Sequence, residues 1–170
     1  MITIFFILLQ LLLALFFFFL CLAFITGGPF VPSKRKSSET MVKLAHLLPG
    51  MNVCDLGSGD GRLLFLAARE GAHAVGYEIN PVLVCYTRLR AWFSPYRLLI
   101  RVYWKNLWHA DIHDADVIFV YLLPWKMERL ADKLKSELKP GTIVVCNSFI
   151  FPKWKILRQD TGNHVYVFRV

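Results

Sequence analysis

Charge is missing from the start of this chain. Residues 1–33 contain no Asp, Glu, Lys, Arg or His, and the first charged side chain is Lys34. A stretch with no polar face is not a surface helix of a soluble domain. A cleaved secretory signal is the rival reading, but it wants positive charge ahead of the apolar run and small residues at a cleavage point, and neither is evident. Leu20 is also too bulky to precede a lipid-modified Cys21. Cysteine is sparse: Cys21, Cys54, Cys85 and Cys146 lie far apart, mostly in apolar runs. No pair has zinc-ligand spacing, and reduced core thiols are the expectation. His109 and His113 flank Asp111 without forming an obvious helical ligand set, so no metal is expected.

The most informative stretch is residues 53–62, Val-Cys-Asp-Leu-Gly-Ser-Gly-Asp-Gly-Arg. A short apolar run ends in the carboxylate of Asp55, and Gly57, Gly59 and Gly61 then let the backbone come close to a ligand. Leu63 to Ala68 continue as an apolar, helix-like segment. Strand, glycine turn and helix in that order make a nucleotide-type cradle. The next apolar run ends in Glu78, placed to accept hydrogen bonds from both hydroxyls of a ribose. The bland alternative is an ordinary strand-turn-helix junction with an exposed Asp.

Two nucleotide motifs are excluded. The dinucleotide fingerprint needs a glycine at the sixth position counted from Gly57, where Arg62 stands. A P-loop needs Gly-Lys-Ser/Thr, which is absent. Asp55 would repel a pyrophosphate but suits an ammonium or a sulfonium. S-adenosylmethionine meets these demands, with its amino-acid end at the glycine turn and its ribose at Glu78.

At about 1.5 Å per residue, residues 1–26 are long enough for a hydrocarbon core of roughly 30 Å. They read as an uncleaved transmembrane anchor, followed by a basic linker over 27–36 and one domain over 37–170. Lys34, Arg35 and Lys36 directly after the anchor place that domain on the cytoplasmic side. The formal net charge of +8 falls entirely after residue 33. That surplus suits anionic headgroups. A nucleic-acid groove is the competing account, but no Arg/Lys-aromatic recognition module appears, and no nucleic-acid partner is expected.

Periodicity and turn signals predict helices over 37–48, 61–70, 81–93 and 125–138, with Ser37 as the N-cap of the first. Strands are predicted at 52–57, 73–79, 100–105, 116–122 and 142–149, with a closing hairpin of 154–159 and 165–170. The fold class is therefore α/β: a Rossmann-like, doubly wound, seven-stranded sheet, mainly parallel, with an antiparallel carboxyl-terminal hairpin. About four residues join the fifth strand to the sixth, too few for a crossover helix. Ligands in such sheets bind beyond the carboxyl ends of the strands, near which Asp55, Glu78, Asn106 and Tyr121 all fall.

The chain resembles class I, seven-β-strand, S-adenosylmethionine-dependent methyltransferases. More narrowly it is similar to the membrane-anchored protein-lysine methyltransferases of adenine nucleotide translocase and the ATP synthase c-subunit, with their prokaryotic relatives. The likeness runs from about residue 28 to the end. It rests on Phe30-Val31-Pro32-Ser33, the Asp55 to Arg62 motif, Gly76 to Pro81, Arg88 to Trp92, Asn106-Leu107-Trp108 and Phe151 to Trp154.

The resemblance implies that Asp55, Gly57, Ser58, Gly59, Asp60 and Gly61 surround the methionine part of the cofactor, and that Glu78, Ile79 and Asn80 meet the ribose. Asn106 and Leu107 would face the adenine, although the family usually has Asp at the first of these, and an amide nitrogen donates where a carboxylate only accepts. Tyr121, in the segment Tyr121 to Pro124, would position the substrate amine, with Phe30, Pro32, Pro124 and Trp125 along the substrate path. That segment lacks the Asn/Asp-Pro-Pro-Tyr motif of DNA, RNA and glutamine methylators. The expected partner is a membrane protein carrying a lysine. A small-molecule or lipid methyltransferase and a non-catalytic protein that only binds the cofactor are the alternatives.

Overall fold

The computed structural model describes residues 2–26 and 34–170. Ile2–Thr26 form one helix, α1, on which the Phe and Leu side chains from Phe5 to Phe18 stand exposed. It is long and apolar enough to cross a membrane by length and composition.

In the domain that follows, strands form where β-branched residues run together and helices where small and long apolar residues recur at helical spacing. The strands are β1 (Asn52–Leu56), β2 (His73–Glu78), β3 (Ile100–Trp104), β4 (Val117–Val120), β5 (Ile143–Asn147), β6 (Arg158–Asp160) and β7 (Val165–Arg169). The helices are α2 (Arg35–Ala45), α3 (Arg62–Arg69), α4 (Pro81–Trp92) and α5 (Met127–Glu137). One seven-stranded sheet results, in the order β3-β2-β1-β4-β5-β7-β6. The first five strands pair in parallel, and β7 pairs antiparallel with both β5 and β6. The doubly wound, seven-stranded expectation holds.

Central strands are buried on both faces, so their residues divide between two cores by parity. Val117 and Phe119 join Leu64, Ala67 and Val84 on the face of α2, α3 and α4. Ile118 and Val120 join Leu130 and Leu134 of α5 on the other. Strand order reverses between β1 and β4, which opens a crevice beyond their carboxyl ends.

Three local expectations need correction. The first domain helix starts at Arg35 with Lys34 at its N-cap, and Ser37 lies buried inside it, where its hydroxyl donates to the Asn163 carbonyl. The strand expected over 154–159 begins only at Arg158, so residues 148–157 connect β5 to β6. Trp154 is not in a strand because its ring stacks on Phe151 at 4.5 Å, and Phe151 meets Phe168 edge-on at 5.3 Å. This aromatic plug covers the sheet where a crossover helix would otherwise lie. Met127 begins α5, and a 3-10 turn, Pro124–Lys126, takes the first predicted turn of that helix.

Candidate active site

The site begins with the turn after β1. The Gly57 and Ser58 amides both donate to the Tyr77 carbonyl, at 2.9 and 3.0 Å, which folds the turn onto β2. Gly57, Gly59 and Gly61 all have positive φ (90°, 53° and 74°), conformations that other residues adopt only under strain. Gly61 then caps α3.

Gly76 makes room for the turn from the other side. A Cβ there would lie 2.6 Å from Ser58 Oγ and 2.7 Å from Leu64 Cδ1. α4 closes the third side: Thr87 Oγ1 donates to the Gly59 carbonyl at 3.2 Å, and a Cβ on Gly61 would collide with the Thr87 methyl. Arg90, stacked on Phe65 at 4.0 Å, reaches the Asp60 carbonyl. Gly76 and Arg90 belong to the stretches that carry the family resemblance, yet nothing in the sequence gives them or Thr87 a role. Only close packing against the turn reveals it.

Glu78 is the hub of the polar groups. Its Oε2 accepts from the Gly59 amide at 2.9 Å, and its Oε1 accepts from the Ile79 and Asn80 amides at 2.9 and 2.8 Å. The carboxylate thus ties the glycine turn to the start of α4. Asp55 is only 4% exposed, and burial, then the charges of Glu78 and Asp60, push its carboxyl up to about 8. A nearby cation would favour its ionised form. Ser58 Oγ is buried with no hydrogen-bond partner among the described residues.

An acidic side chain under charge stress, a second carboxylate and an orphaned hydroxyl around a bare-backbone turn fit a ligand with cationic and hydroxyl groups. They fit S-adenosylmethionine in particular, with its sulfonium, ammonium and ribose.

A profile of the ANTKMT methyltransferase domain matches residues 55–158. The chain belongs to that methyltransferase family. A protein-lysine N-methyltransferase of Saccharolobus islandicus is 31% identical over 147 residues, covering 84% of this chain and 91% of its own. The ATP synthase c-subunit lysine N-methyltransferase of Mus musculus is 40% identical over 126 residues, covering 74% of this chain and 51% of its own. The chain spans about half the length of the vertebrate ATP synthase c-subunit methyltransferases it matches, between 51% and 58%. Among solved structures, an RNA methyltransferase from Salinibacter ruber in complex with S-adenosyl-L-homocysteine superposes with a TM-score of 0.79 at 36% identity. That match covers 82% of this chain and 94% of the other. The expected family and its S-adenosylmethionine cofactor stand with these matches.

Around the methyltransferase cradle, the other site residues expected from the sequence are distributed unevenly. Asp60 turns its carboxylate to Arg62, at 3.1 Å from the amide and 3.2 Å from Nη2, and so fastens the start of α3. Asn80 caps α4, its Oδ1 accepting from the Val82 amide at 2.9 Å. Ile79 offers its amide to Glu78 and its carbonyl to Trp104 Nε1, at 2.8 Å. Asn106 Oδ1 accepts from the Trp108 amide at 3.1 Å and caps a 3-10 turn, Leu107–His109. The Leu107 side chain is buried in the α5-side core.

Tyr121 follows Val120, the register partner of Leu56, so the chain leaves β4 at Tyr121 beside the start of the glycine turn. Pro124 and Trp125 are exposed in the 3-10 turn beyond it. Phe30 and Pro32 lie outside the described residues. Asn147 and Ser148, the latter at φ 68°, end β5 at the same edge of the sheet and received no role from the sequence. A polar residue ending a buried strand was the signal available for them.

Proposed function

We propose that this chain is a membrane-anchored, S-adenosylmethionine-dependent protein-lysine N-methyltransferase acting on a membrane protein. The observation that carries the reading is the bracketing of one glycine turn by buried Asp55 and by Glu78, whose carboxylate touches the turn itself at Gly59. Support for the lysine substrate comes from the relatives described as protein-lysine methyltransferases. Support for the membrane comes from α1 and the cations at 34–36, which also favour a cytoplasmic domain.

When bound, S-adenosylmethionine supplies an electrophilic methyl group on a sulfonium. Asp55 and the turn residues Gly57 to Gly61 hold the methionine end, Glu78 with Ile79 and Asn80 holds the ribose, and Asn106 and Leu107 border the adenine. The remaining task of the protein is alignment of donor and acceptor. A lysine amine has a pKa of about 10.4 in water, so it must lose a proton before attack. Tyr121, Pro124 and Trp125 form an apolar, aromatic approach that strips water from the amine and lowers that value.

The test supplies the protein and radiolabelled cofactor to membranes from cells lacking it. Label on a small hydrophobic protein, at lysine, is the expected result. Label confined to the lipid extract overturns the protein-substrate reading, and label in RNA overturns it in favour of the activity described for the Salinibacter protein.

A further inference from the structure

Helix α4 carries its bulk on the wrong side for a helix covering a sheet, with apolar residues on both faces. Its buried positions are the small residues Val84, Thr87 and Ala91, which face the sheet, with Thr87 against Gly61. Its large apolar residues point away from the domain. At about 100° per residue, Val82, Cys85, Tyr86, Leu89, Trp92 and Phe93 fall within one stripe roughly 120° wide, opposite the buried side. Trp92 is 71% exposed and Phe93 79%, and Leu98 in the following loop is 82% exposed. An aromatic, contiguous surface of this kind marks a contact site.

Charge selects the occupant. From Ile79 to Ala110 the chain has five Lys or Arg residues and no Asp or Glu. Arg88 and Arg90 flank the stripe on its two sides, each tied back to the domain: Arg88 Nε donates to the Val102 carbonyl at 2.8 Å, and Arg90 lies over Phe65. Exposed Arg97 sits beside Leu98. Trp and Tyr among aliphatic side chains, edged by arginine, is the composition of helices that lie in a headgroup layer.

We propose that the outer face of α4, with the loop through Leu98, docks in the plane of an anionic bilayer. This contact is separate from α1 and from the cations at 34–36, and it rests on the membrane placement proposed above. α4 begins three residues after Glu78. Docking therefore sets the cofactor cradle beside the membrane surface, within reach of lysines at the headgroup level.

All five Trp residues lie after residue 34, none in α1, so Trp emission reports on the domain and not on the anchor. The full chain is reconstituted into vesicles of equal parts phosphatidylcholine and phosphatidylglycerol, with brominated phosphatidylcholine as the quencher. Floated protein is expected to be quenched, and Trp92→Phe, which keeps the stripe but removes the reporter, is expected to lose the larger part of that quenching. The double variant Leu89→Glu/Phe93→Glu is expected to float through α1 with its emission unquenched. Floated wild-type protein with equal emission in brominated and ordinary lipid overturns the docking proposal while leaving the anchor intact. Full quenching in the double variant also overturns it. Protein that does not float at all overturns both. Slowed hydrogen exchange in α4 on raising protein concentration without lipid assigns the stripe to a second copy of the chain and overturns the bilayer contact.

Discussion

Glu78 Oε2 accepts a hydrogen bond from the Gly59 amide at 2.9 Å, joining the end of β2 to the middle of the glycine turn. The side chain proposed to hold the ribose also holds the cradle in shape. Substitutions there must separate the two roles.

Glu78→Gln keeps one oxygen for the backbone amides but loses the charge. Its cofactor affinity should fall roughly 10- to 100-fold, since hydrogen bonds to a charged group are the strong ones. Glu78→Ala should lose affinity and also melt earlier, because the Gly59, Ile79 and Asn80 amides lose their acceptor. Titration calorimetry with the demethylated product, paired with thermal denaturation, separates the variants. Unchanged affinity in Glu78→Gln would remove Glu78 from the ribose site.

Asp55 should couple cofactor binding to pH. Its carboxyl is raised from 3.8 to about 8 in the folded protein. A raised folded value means that the associated stability is complete below the unfolded pKa and is lost as pH rises through the folded one. Asp55→Asn should therefore stabilise the ligand-free protein at pH 8 by about 1–3 kcal/mol, with the gain shrinking as pH falls and gone only below the unfolded value of 3.8. The same variant should lose cofactor binding. In wild-type protein a cationic ligand favours the ionised carboxyl, so affinity should rise as pH is raised toward 8 with release of a proton. Calorimetry in buffers of different ionisation enthalpy measures that proton, and a pH-independent affinity would contradict the assignment.

Gly76→Ala tests the packing of the turn. The added methyl would press on Ser58 and Leu64, both on the buried side of the cradle. We expect a loss of about 1–3 kcal/mol in stability, together with weaker cofactor binding. Denaturant titration and calorimetry on the same preparation report both. A variant with full stability and full affinity would show that the turn has room to move.

Asn106→Asp asks whether this position faces the adenine. Asp preserves the acceptor for the Trp108 amide and adds a second oxygen that only accepts. Affinity for the cofactor should rise about 3- to 10-fold, the worth of one modest hydrogen bond. No change would place residue 106 away from the adenine edge.

Much of this arrangement was legible in the chain because its causes are local. Gly57, Gly59 and Gly61 announce a turn with positive φ, and Asn80-Pro81 announces a helix start. Val117 to Val120 announce a strand buried on both faces. The misreading at the carboxyl end has a tertiary cause. The run around Trp154 has the alternation of a strand, but its aromatic rings serve the core through stacking on Phe151. Spacing also gave no sign that Asp60 and Asn106, besides the cofactor roles proposed for them, hold Arg62 and the Trp108 amide.

By itself the sequence determined the order of elements, the glycine turn with its two acids and the charge-free apolar start, since each depends on neighbours a few residues away. The tertiary structure alone decided that β7 lies between β5 and β6, and that α4 turns its bulk outward. Strand pairing joins distant segments, and an alternating apolar strand fits more than one sheet position. The direction of α4 follows from packing. It packs on β2 and β3 through Val84, Thr87 and Ala91, with Thr87 pressed against the glycine turn, and Trp92 and Phe93 are left on the surface.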